Sequence, residues 1–330
     1  GNLNSDIGLA LAIFGIEPRH KIGIFEMGIN RKGEMDELAK MYEPEIALIT
    51  NIGSAHVGMF GSRDEIAREK SGIFSYFDGQ QKALLWEDDD YRTYLSSKVK
   101  GSVYYFGLRS TEGLGRIENK GLDGWKIEWK GQTLDFRLPG KHNLLNACAA
   151  LSIAILMELD PILAVQGLSK VQPLFGRSEI CKGKITVFQD YYNANPNSMA
   201  AAIDFLSGIS STNRKVLILG SMLELGKESD NAHRDVGFMV AEMKPEAVFL
   251  FGEEMKAAEA ALKEAAFRGV LMHTTDMGNL IDTVSSYVRE GDLVLIKGSR
   301  SMALERISHA FQEKGLIDLS EASKGGSHAS

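Results

Sequence analysis

Cysteine is scarce in this sequence, and long apolar runs are missing. Two of the 330 residues are cysteine, Cys148 and Cys181. That is too few for a disulfide framework or for a zinc site built from cysteines alone, and it is typical of a cytosolic protein. No apolar run approaches the ~18 residues of a membrane span. Positive charge is not in excess either, because 44 acidic and 37 basic residues give a net charge of −7. This balance argues against a broad nucleic-acid-binding face.

Three motifs of common enzyme classes are also missing. The chain contains no G-x-x-x-x-G-K-[ST] loop for nucleotide phosphates, no G-x-G-x-x-G dinucleotide fingerprint and no G-x-S-x-G nucleophile elbow. The second absence disfavours a nicotinamide-dependent oxidoreductase. The third disfavours a serine hydrolase of the elbow type.

The first half of the chain alternates between short apolar runs and helical patterns, which predicts βαβ units and a parallel sheet. Polarity alternates on both sides of Lys130-Gly131 within residues 125–138, which predicts an antiparallel hairpin. The predicted strands are residues 21–26, 45–51, 82–86 and 103–106. The predicted helices are residues 62–74, 88–98, 143–157 and 160–169.

A second alternating block follows residues 173–177 (PLFGR), which we interpret as a linker between two domains. The block predicts a doubly wound α/β domain. Its predicted strands are residues 185–188, 215–219, 247–251 and 293–297. Its predicted helices are residues 198–206, 231–242, 254–267, 277–289 and 301–312.

Three residues of the first half are candidates for a cation site. Glu26 ends a predicted buried strand, where a carboxylate can hold magnesium against phosphates. His56 follows the next strand after small residues, although a lone loop histidine is more often structural. Lys70 lies on the following helix, where most lysines are solvated. If desolvation kept Lys70 neutral, its amine could take up carbon dioxide and offer a carbamate oxygen instead.

Further candidates surround the linker. Asn143 and Asn146 share one face of a helix and suit the donor and acceptor edge of adenine, although Asn143 could be only an N-cap. Arg177 lies in the linker, where a guanidinium can reach phosphate. Asp190 ends a strand and fits ribose hydroxyls or a metal.

Two loops complete the set of candidates. A loop dense in asparagine and tyrosine follows Asp190 and includes Asn193 and Asn195. Lys297, Ser299 and Arg300 end the last strand and open the last helix. Backbone N–H groups and cations at this position could bind a carboxylate or phosphate. The alternative is that these residues only end the strand and form an ordinary turn.

Taken in order, these strings resemble the Mur ligases. Each string is weak alone, but the ordered set is specific and extends to about residue 312. The strings are residues 1–8 (GNLNSDIG), 25–30 (FEMGIN), 51–62 around His56, 70–74 (KSGIF), 140–147 (GKHNLLNA), 175–177 (FGR), 190–195 (DYYNAN), 223–226 (LELG) and 297–301 (KGSRS).

The resemblance implies a fold. Residues 1–174 would be a truncated P-loop-type central ATPase domain, with a parallel sheet and an antiparallel hairpin. Residues 175–318 would be a Rossmann-like C-terminal α/β domain, and residues 319–330 a disordered tail or an expression remnant. The family's UDP-binding domain and P-loop are not in these 330 residues, so we expect the chain alone to be inactive.

The resemblance also implies an activity: ATP-dependent joining of D-alanyl-D-alanine to UDP-MurNAc-tripeptide in peptidoglycan precursor synthesis. A cytoplasmic monomer would use ATP and Mg²⁺, with no nucleic-acid partner. Glu26, His56 and Lys70, carbamylated or not, would be the catalytic and metal-binding set. Asn143, Asn146, Arg177 and Asp190 would hold ATP. The implied substrate-binding residues are Asn2, Asn193, Asn195, Lys297, Ser299 and Arg300.

Two departures from the family pattern affect the nucleotide and dipeptide sites. Tyr191 stands where the family usually has serine, and Ser221 where it usually has aspartate. Two rival functions stay open at this point. One is another ligase of the superfamily, such as folylpolyglutamate synthetase, and the other is a non-catalytic binding module.

Overall fold

The structure is a computed structural model that describes residues 4–54, 57–209 and 213–319. The chain divides into two compact units. Unit 1 consists of Gly1–Leu114 and Cys148–Leu159, and unit 2 of Gly115–Ala147 and Asp160–Ser330. Most of the predicted tail, residues 320–330, lies outside the described residues. The predicted domain boundary after residue 174 stays a prediction.

Unit 1 is built around a three-stranded parallel sheet in the order β1-β2-β3. Its core includes Ile49, Phe74 and Leu85. The strands are β1 (Ile46–Ile49), β2 (Lys82–Trp86) and β3 (Ser102–Phe106). The helices are α1 (Asp6–Phe14), α2 (Glu34–Tyr42), α3 (Val57–Phe60), α4 (Arg63–Lys70) and α5 (Arg92–Ser97).

One predicted strand of unit 1 is wrong. Residues 21–26 form no strand, and Ile22 and Ile24 are 49% and 91% exposed. A strand exists only when a neighbour accepts its backbone hydrogen bonds, and within the described residues β1 pairs with β2 alone. Glu26 therefore lies on an exposed irregular segment rather than at the end of a buried strand.

The helix α4 begins as the sequence predicts. The Ser62 hydroxyl accepts a hydrogen bond from the Glu65 backbone N–H, which satisfies one of the unpaired donors of the first turn. A short 3₁₀ turn, Ser71–Phe74, continues α4. The helix predicted over residues 88–98 is shorter than expected, because only Arg92–Ser97 is helical.

Unit 2 contains the predicted hairpin, here part of a three-stranded sheet in the order β4-β5-β6. Strands β5 and β6 are antiparallel, while β4 was not predicted. Two helices follow. The strands are β4 (Leu114–Asn119), β5 (Trp125–Trp129) and β6 (Gln132–Phe136). The helices are α6 (Lys141–Leu156), through which the division between units passes, and α7 (Pro161–Ser169).

The second sheet of unit 2 has six strands in the order β11-β10-β9-β12-β8-β7. All neighbours are parallel except β7. The strands are β7 (Glu179–Lys182), β8 (Thr186–Asp190), β9 (Lys215–Gly220), β10 (Ala247–Phe251), β11 (Val270–Thr274) and β12 (Leu293–Lys297). The helices are α8 (Pro196–Ser207), α9 (Ser229–Met243), α10 (Met255–Glu264), α11 (Met277–Tyr287) and α12 (Glu305–Glu313).

Helices cover both faces of this sheet. Alternate residues of the central strands pack against α8, α9 and α10 on one face and against α11 and α12 on the other. The chain leaves β8 and β9 toward the first face and leaves β12, which lies between them, toward the second. Ligands of open α/β sheets bind at such a switch point, outside the carboxyl ends of the strands.

Candidate functional site

In unit 1, the loop after β1 is held by side chains from two other segments. Lys70 Nζ, at the end of α4, donates to the Asn51 carbonyl oxygen at 3.0 Å. The Ile52 backbone N–H donates to Asp89 Oδ2 at 2.8 Å, and Arg63 donates to the Ile52 carbonyl oxygen at 3.0 Å. These bonds fix the path of the chain just before position 56.

The amine of Lys70 is a weaker base than that of an exposed lysine. Burial lowers the pKa of Lys70, and the negative charge of Asp89 opposes the shift only in part. A lowered pKa raises the share of neutral amine, which is the form that acts as a nucleophile or takes up carbon dioxide. The environment of Lys70 thus favours amine chemistry over a solvated surface charge.

The predicted metal ligands are only partly within the described residues. His56 lies outside them, as does Asn2. The Glu26 carboxylate accepts a hydrogen bond from Asn4 Nδ2 at 3.0 Å. Within residues 4–54, 57–209 and 213–319, no three His, Cys, Asp or Glu side chains gather as a metal site would require. Lys70 could act as a metal ligand only as its carbamate. Glu26 and His56 would then have to complete the set of three.

In unit 2, Asp190 and Lys297 form an ion pair at the switch point, at the carboxyl ends of β8 and β12. Lys297 Nζ lies 2.5 Å from Asp190 Oδ2, and Lys297 is only 1% exposed. The same ammonium contacts the Asn193 carbonyl oxygen at 3.3 Å. A buried charge requires such a partner, so the pair fixes the start of the β8–α8 loop.

Ser178 connects Asp190 to the start of α6. Its backbone N–H donates to Asp190 Oδ1 at 3.1 Å, and its hydroxyl lies 3.1 Å from His142 Nε2. Next to His142, the buried Asn143 side chain donates to the Pro139 carbonyl oxygen at 2.8 Å. Asn146 is exposed one turn further along α6. Three predicted nucleotide-binding segments therefore meet at one serine.

The exposed guanidinium of Arg177 stacks on an aromatic ring beside this junction. Its central carbon lies 4.0 Å from the centre of the Tyr192 ring, a cation–π contact. Arg300 lies 5.2 Å above the Phe175 ring and bonds to Glu305 at 2.6 Å. Both arginines are thus oriented by aromatic rings.

A cavity of about 740 Å³ opens next to the junction, with Ser178 on its wall. Trp125, Pro173 and Arg137 also line it. The Trp125 indole N–H donates to the Gly140 carbonyl oxygen at 3.1 Å, which fixes its ring beside the start of α6. Cavities of this size accept ligands as large as a nucleotide.

Tyr191, which stands where the Mur ligase pattern usually has serine, is a core residue. Tyr191 is 1% exposed and packs among the residues under α11 and α12. Its hydroxyl lies 3.1 Å from Gln189 Oε1, and burial raises its pKa. A Cβ at Gly176 (φ +61°) would come within 2.7 Å of the ring, so Gly176 gives the tyrosine its room.

The second departure lies at the end of β9. The Ser299 backbone N–H donates to the Ser221 carbonyl oxygen at 3.0 Å, and the Leu223 N–H donates to Ser299 Oγ at 2.9 Å. His233, fully buried in α9, accepts from the Met222 N–H at 2.9 Å. Ser299 and His233 therefore hold the loop that carries the Glu-Leu-Gly string.

Comparison with known proteins gives consistent matches. The Mur ligase middle domain matches residues 1–154, and the Mur ligase glutamate ligase domain matches residues 176–300. The chain is 39% identical to a UDP-N-acetylmuramoyl-tripeptide–D-alanyl-D-alanine ligase of Treponema pallidum over 93% of its own length and 66% of the relative's. It is 33% identical to the Bacillus subtilis ligase of the same name, over 93% and 68%.

A solved structure agrees with these matches. MurF from Acinetobacter baumannii superposes with a TM-score of 0.84 at 29% identity, covering 95% of this chain and 69% of that one. The chain belongs to the Mur ligase family. It spans about two thirds of the length of the curated relatives it matches.

The Mur ligase residues predicted from sequence fall into two groups. In unit 2, Ser178 follows Arg177 in the chain and contacts Asp190, the partner of Lys297, and His142, the neighbour of Asn143. The remaining loop residues serve local structure: Asn195 caps α8, where its Oδ1 accepts from the Ser198 N–H at 2.9 Å, and the Asn193 side chain accepts from the Ala194 N–H at 2.8 Å.

Two members of this cluster carried no predicted role in the sequence. His142 lies inside the Gly140–Ala147 string, but its neighbours Asn143 and Asn146 suggested the chemistry. Ser178 follows the Phe-Gly-Arg string of the Mur ligases and has no motif of its own. Its left-handed backbone (φ 52°) aims the N–H at Asp190, and this conformation is visible only in the structure.

Proposed function

We propose that this chain is the greater part of an ATP-dependent amide ligase that joins D-alanyl-D-alanine to UDP-MurNAc-tripeptide in peptidoglycan precursor synthesis. The observation that carries the proposal is the Ser178 junction. It ties the segments of Asn143, Arg177 and Asp190 together at the switch point of an α/β sheet, where nucleotides bind. The names of the relatives support the choice of substrates.

The reaction proceeds by phosphoryl transfer. The γ-phosphate of ATP passes to the terminal carboxylate of the tripeptide and gives an acyl phosphate with release of ADP. The amine of D-alanyl-D-alanine attacks the acyl carbon, and phosphate leaves as the amide forms. Catalysis of this kind depends on positioning and electrostatics. Asn143, Asn146, Arg177 and Asp190 would hold ATP in place.

The remaining predicted residues would serve the other substrates and the metal. Of the predicted substrate-binding set, Asn2, Asn193, Asn195, Ser299 and Arg300 would contact the other substrates. Glu26 and His56 would bind Mg²⁺ with Lys70 as its carbamate, since magnesium prefers oxygen ligands. The lowered pKa of Lys70 supports this assignment. Bound Mg²⁺ would neutralise charge on the transferring phosphoryl group.

The setting of the protein is part of the proposal. We propose that the ligase acts in the cytoplasm as a monomer, with the central domain over residues 1–174 and the C-terminal domain over 175–318. None of the helices in the described part of the chain has the length and apolarity needed to cross a membrane.

The test is ADP release from ATP and Mg²⁺ with UDP-MurNAc-tripeptide and D-alanyl-D-alanine. We would run it on this chain and on a version extended upstream through a P-loop. The expected result is activity in the extended version only, dependent on the dipeptide and lost in Arg177→Ala. Activity in the short chain would contradict the site described above. If both forms are folded but release no ADP, the result would favour a non-catalytic binding module instead.

A further inference from the structure

The Lys297 ammonium faces acceptors of its own chain. An ammonium group has three N–H donors, and Lys297 has three acceptors from its own chain. These are Asp190 Oδ2 at 2.5 Å, the Asn193 carbonyl oxygen at 3.3 Å and the Asp190 carbonyl oxygen at 3.4 Å. With 1% of its surface exposed, Lys297 could reach a substrate carboxylate only by abandoning a buried ion pair, which is costly.

The loop that Lys297 holds makes three contacts with the segment of Arg177. Asp190 Oδ1 accepts from the Ser178 N–H at 3.1 Å. The Tyr192 N–H donates to the Gly176 carbonyl oxygen at 2.9 Å. The Tyr192 ring lies under the Arg177 guanidinium at 4.0 Å. The residues on both sides of Arg177 and its own side chain are therefore held from the loop that follows β8.

We infer that Lys297 is a positioning residue for Arg177 and does not bind substrate itself. Its ammonium fixes both ends of the short stretch from Asp190 to Asn193, and this stretch holds the backbone and side chain of Arg177. The inference rests on the proposed function in one respect only, that Arg177 contacts the nucleotide. It assigns Lys297 to nucleotide affinity and not to the dipeptide cleft.

The first test measures backbone exchange and needs no ligand. In Lys297→Met, we expect amide hydrogens of peptides covering residues 175–178 and 190–193 to exchange at least tenfold faster than in the wild type. Lys215→Met is the matched control, since Lys215 Nζ also bonds backbone carbonyls, at 3.0 and 3.2 Å, but at the start of β9. Unchanged exchange at 175–178 in Lys297→Met would overturn the inference. If that variant fails to fold, Lys297→Met combined with Asp190→Asn removes the same ammonium and leaves no unpaired charge, and the same exchange is measured on it.

The second test separates positioning from direct binding. In the enzyme extended through a P-loop, Lys297→Met should raise the KM for ATP at least tenfold and leave the KM for D-alanyl-D-alanine within twofold. A higher KM for the dipeptide with an unchanged KM for ATP would overturn the inference. If the wild type shows no turnover, the proposed function fails, while the exchange experiment still decides whether Lys297 holds the Arg177 segment.

Discussion

The two units each place a lysine beside the carboxyl end of a parallel strand, but they surround it differently. In unit 1, Lys70 Nζ bonds to a neutral carbonyl, that of Asn51, and the negative charge of Asp89 acts on it through space. In unit 2, Lys297 Nζ contacts the Asp190 carboxylate directly. Lys70 is half-buried, whereas Lys297 is fully buried.

The difference shows that the partner, more than the depth of burial, decides what a lysine does. Desolvation without a bonded carboxylate weakens the base and leaves an amine available for chemistry. A directly bonded carboxylate instead turns the side chain into a structural link. The following predictions test that contrast, from the largest expected effect to the smallest.

The largest effect is expected from Lys70→Met. In the enzyme extended through a P-loop, we expect kcat to fall on the order of a thousandfold, as when a group that stabilises developing charge is removed. Lys82→Met is the matched control, because Lys82 Nζ also bonds a single carbonyl, that of Leu156, at 2.9 Å. Steady-state kinetics of both variants make the comparison. Equal losses would mean that Lys70 has no special chemistry.

The second effect is on stability. Lys297→Met leaves the Asp190 carboxylate, which is 17% exposed, without its cation, so we expect the free energy of unfolding to fall by about 3 kcal/mol. Lys297→Met combined with Asp190→Asn should recover most of that loss, since no unpaired charge remains. Urea denaturation of the two variants and the wild type gives the numbers. A loss below about 1 kcal/mol in the single variant, the range of exposed ion pairs, would contradict the structural link.

The third effect concerns His233, a buried base in unit 2 that resembles Lys70 because its shortest hydrogen bonds are to backbone groups. Its Nε2 accepts from the Met222 N–H, and its Nδ1 donates to the Ser229 carbonyl oxygen at 2.7 Å. The bond from Met222 requires an unprotonated Nε2, so the ring is neutral with its hydrogen on Nδ1, and burial lowers its pKa.

The sign of the resulting pH dependence follows from that lowered pKa. Below about pH 6.5 the unfolded chain binds the proton first, so His233 reduces stability as the pH falls and has no such effect above that range. Urea denaturation at pH 7.5 and 5.5 should show a loss about 1 kcal/mol larger in the wild type than in His233→Gln. Equal losses would show that the ring is not held neutral.

The smallest effect is expected from Tyr191→Phe, which removes a neutral hydrogen bond to Gln189 instead of a charge. We expect a loss of about 1 kcal/mol in the free energy of unfolding and an ADP affinity within twofold of the wild type. Urea denaturation and titration calorimetry measure the two quantities. A tenfold change in affinity would place Tyr191 in the nucleotide site.

The sequence predicted the central strands closely and the edges poorly. The strands at 82–86, 247–251 and 293–297 have the predicted bounds, because a continuous apolar run between polar residues is typical of a buried parallel strand. The edge strands β7 and β11 were missed, since half-exposed edges need no such run. Residues 21–26 have the apolar run, but no strand of the described residues pairs with them.

The candidate site was predictable in its residue types and not in its contacts. The ordered strings identified Arg177, Asp190 and Lys297, because motifs preserve the identity of residues. They could not show that the Lys297 ammonium is paired with the Asp190 carboxylate, or that Ser178 joins three segments. The ion pair depends on the register of β8 against β12, which pairs Asp190 with Lys297 on neighbouring strands. The contacts of Ser178 depend on the left-handed backbone of that residue.

The packing of Tyr191 makes position 176 intolerant of any side chain for two separate reasons. A Cβ there would meet the tyrosine ring at 2.7 Å and the Tyr192 backbone nitrogen at 3.2 Å. The positive φ of +61° would strain any other residue even with a smaller side chain at 191. Exchanging Tyr191 alone would therefore leave position 176 restricted to glycine, although fourteen residues separate the two in the sequence.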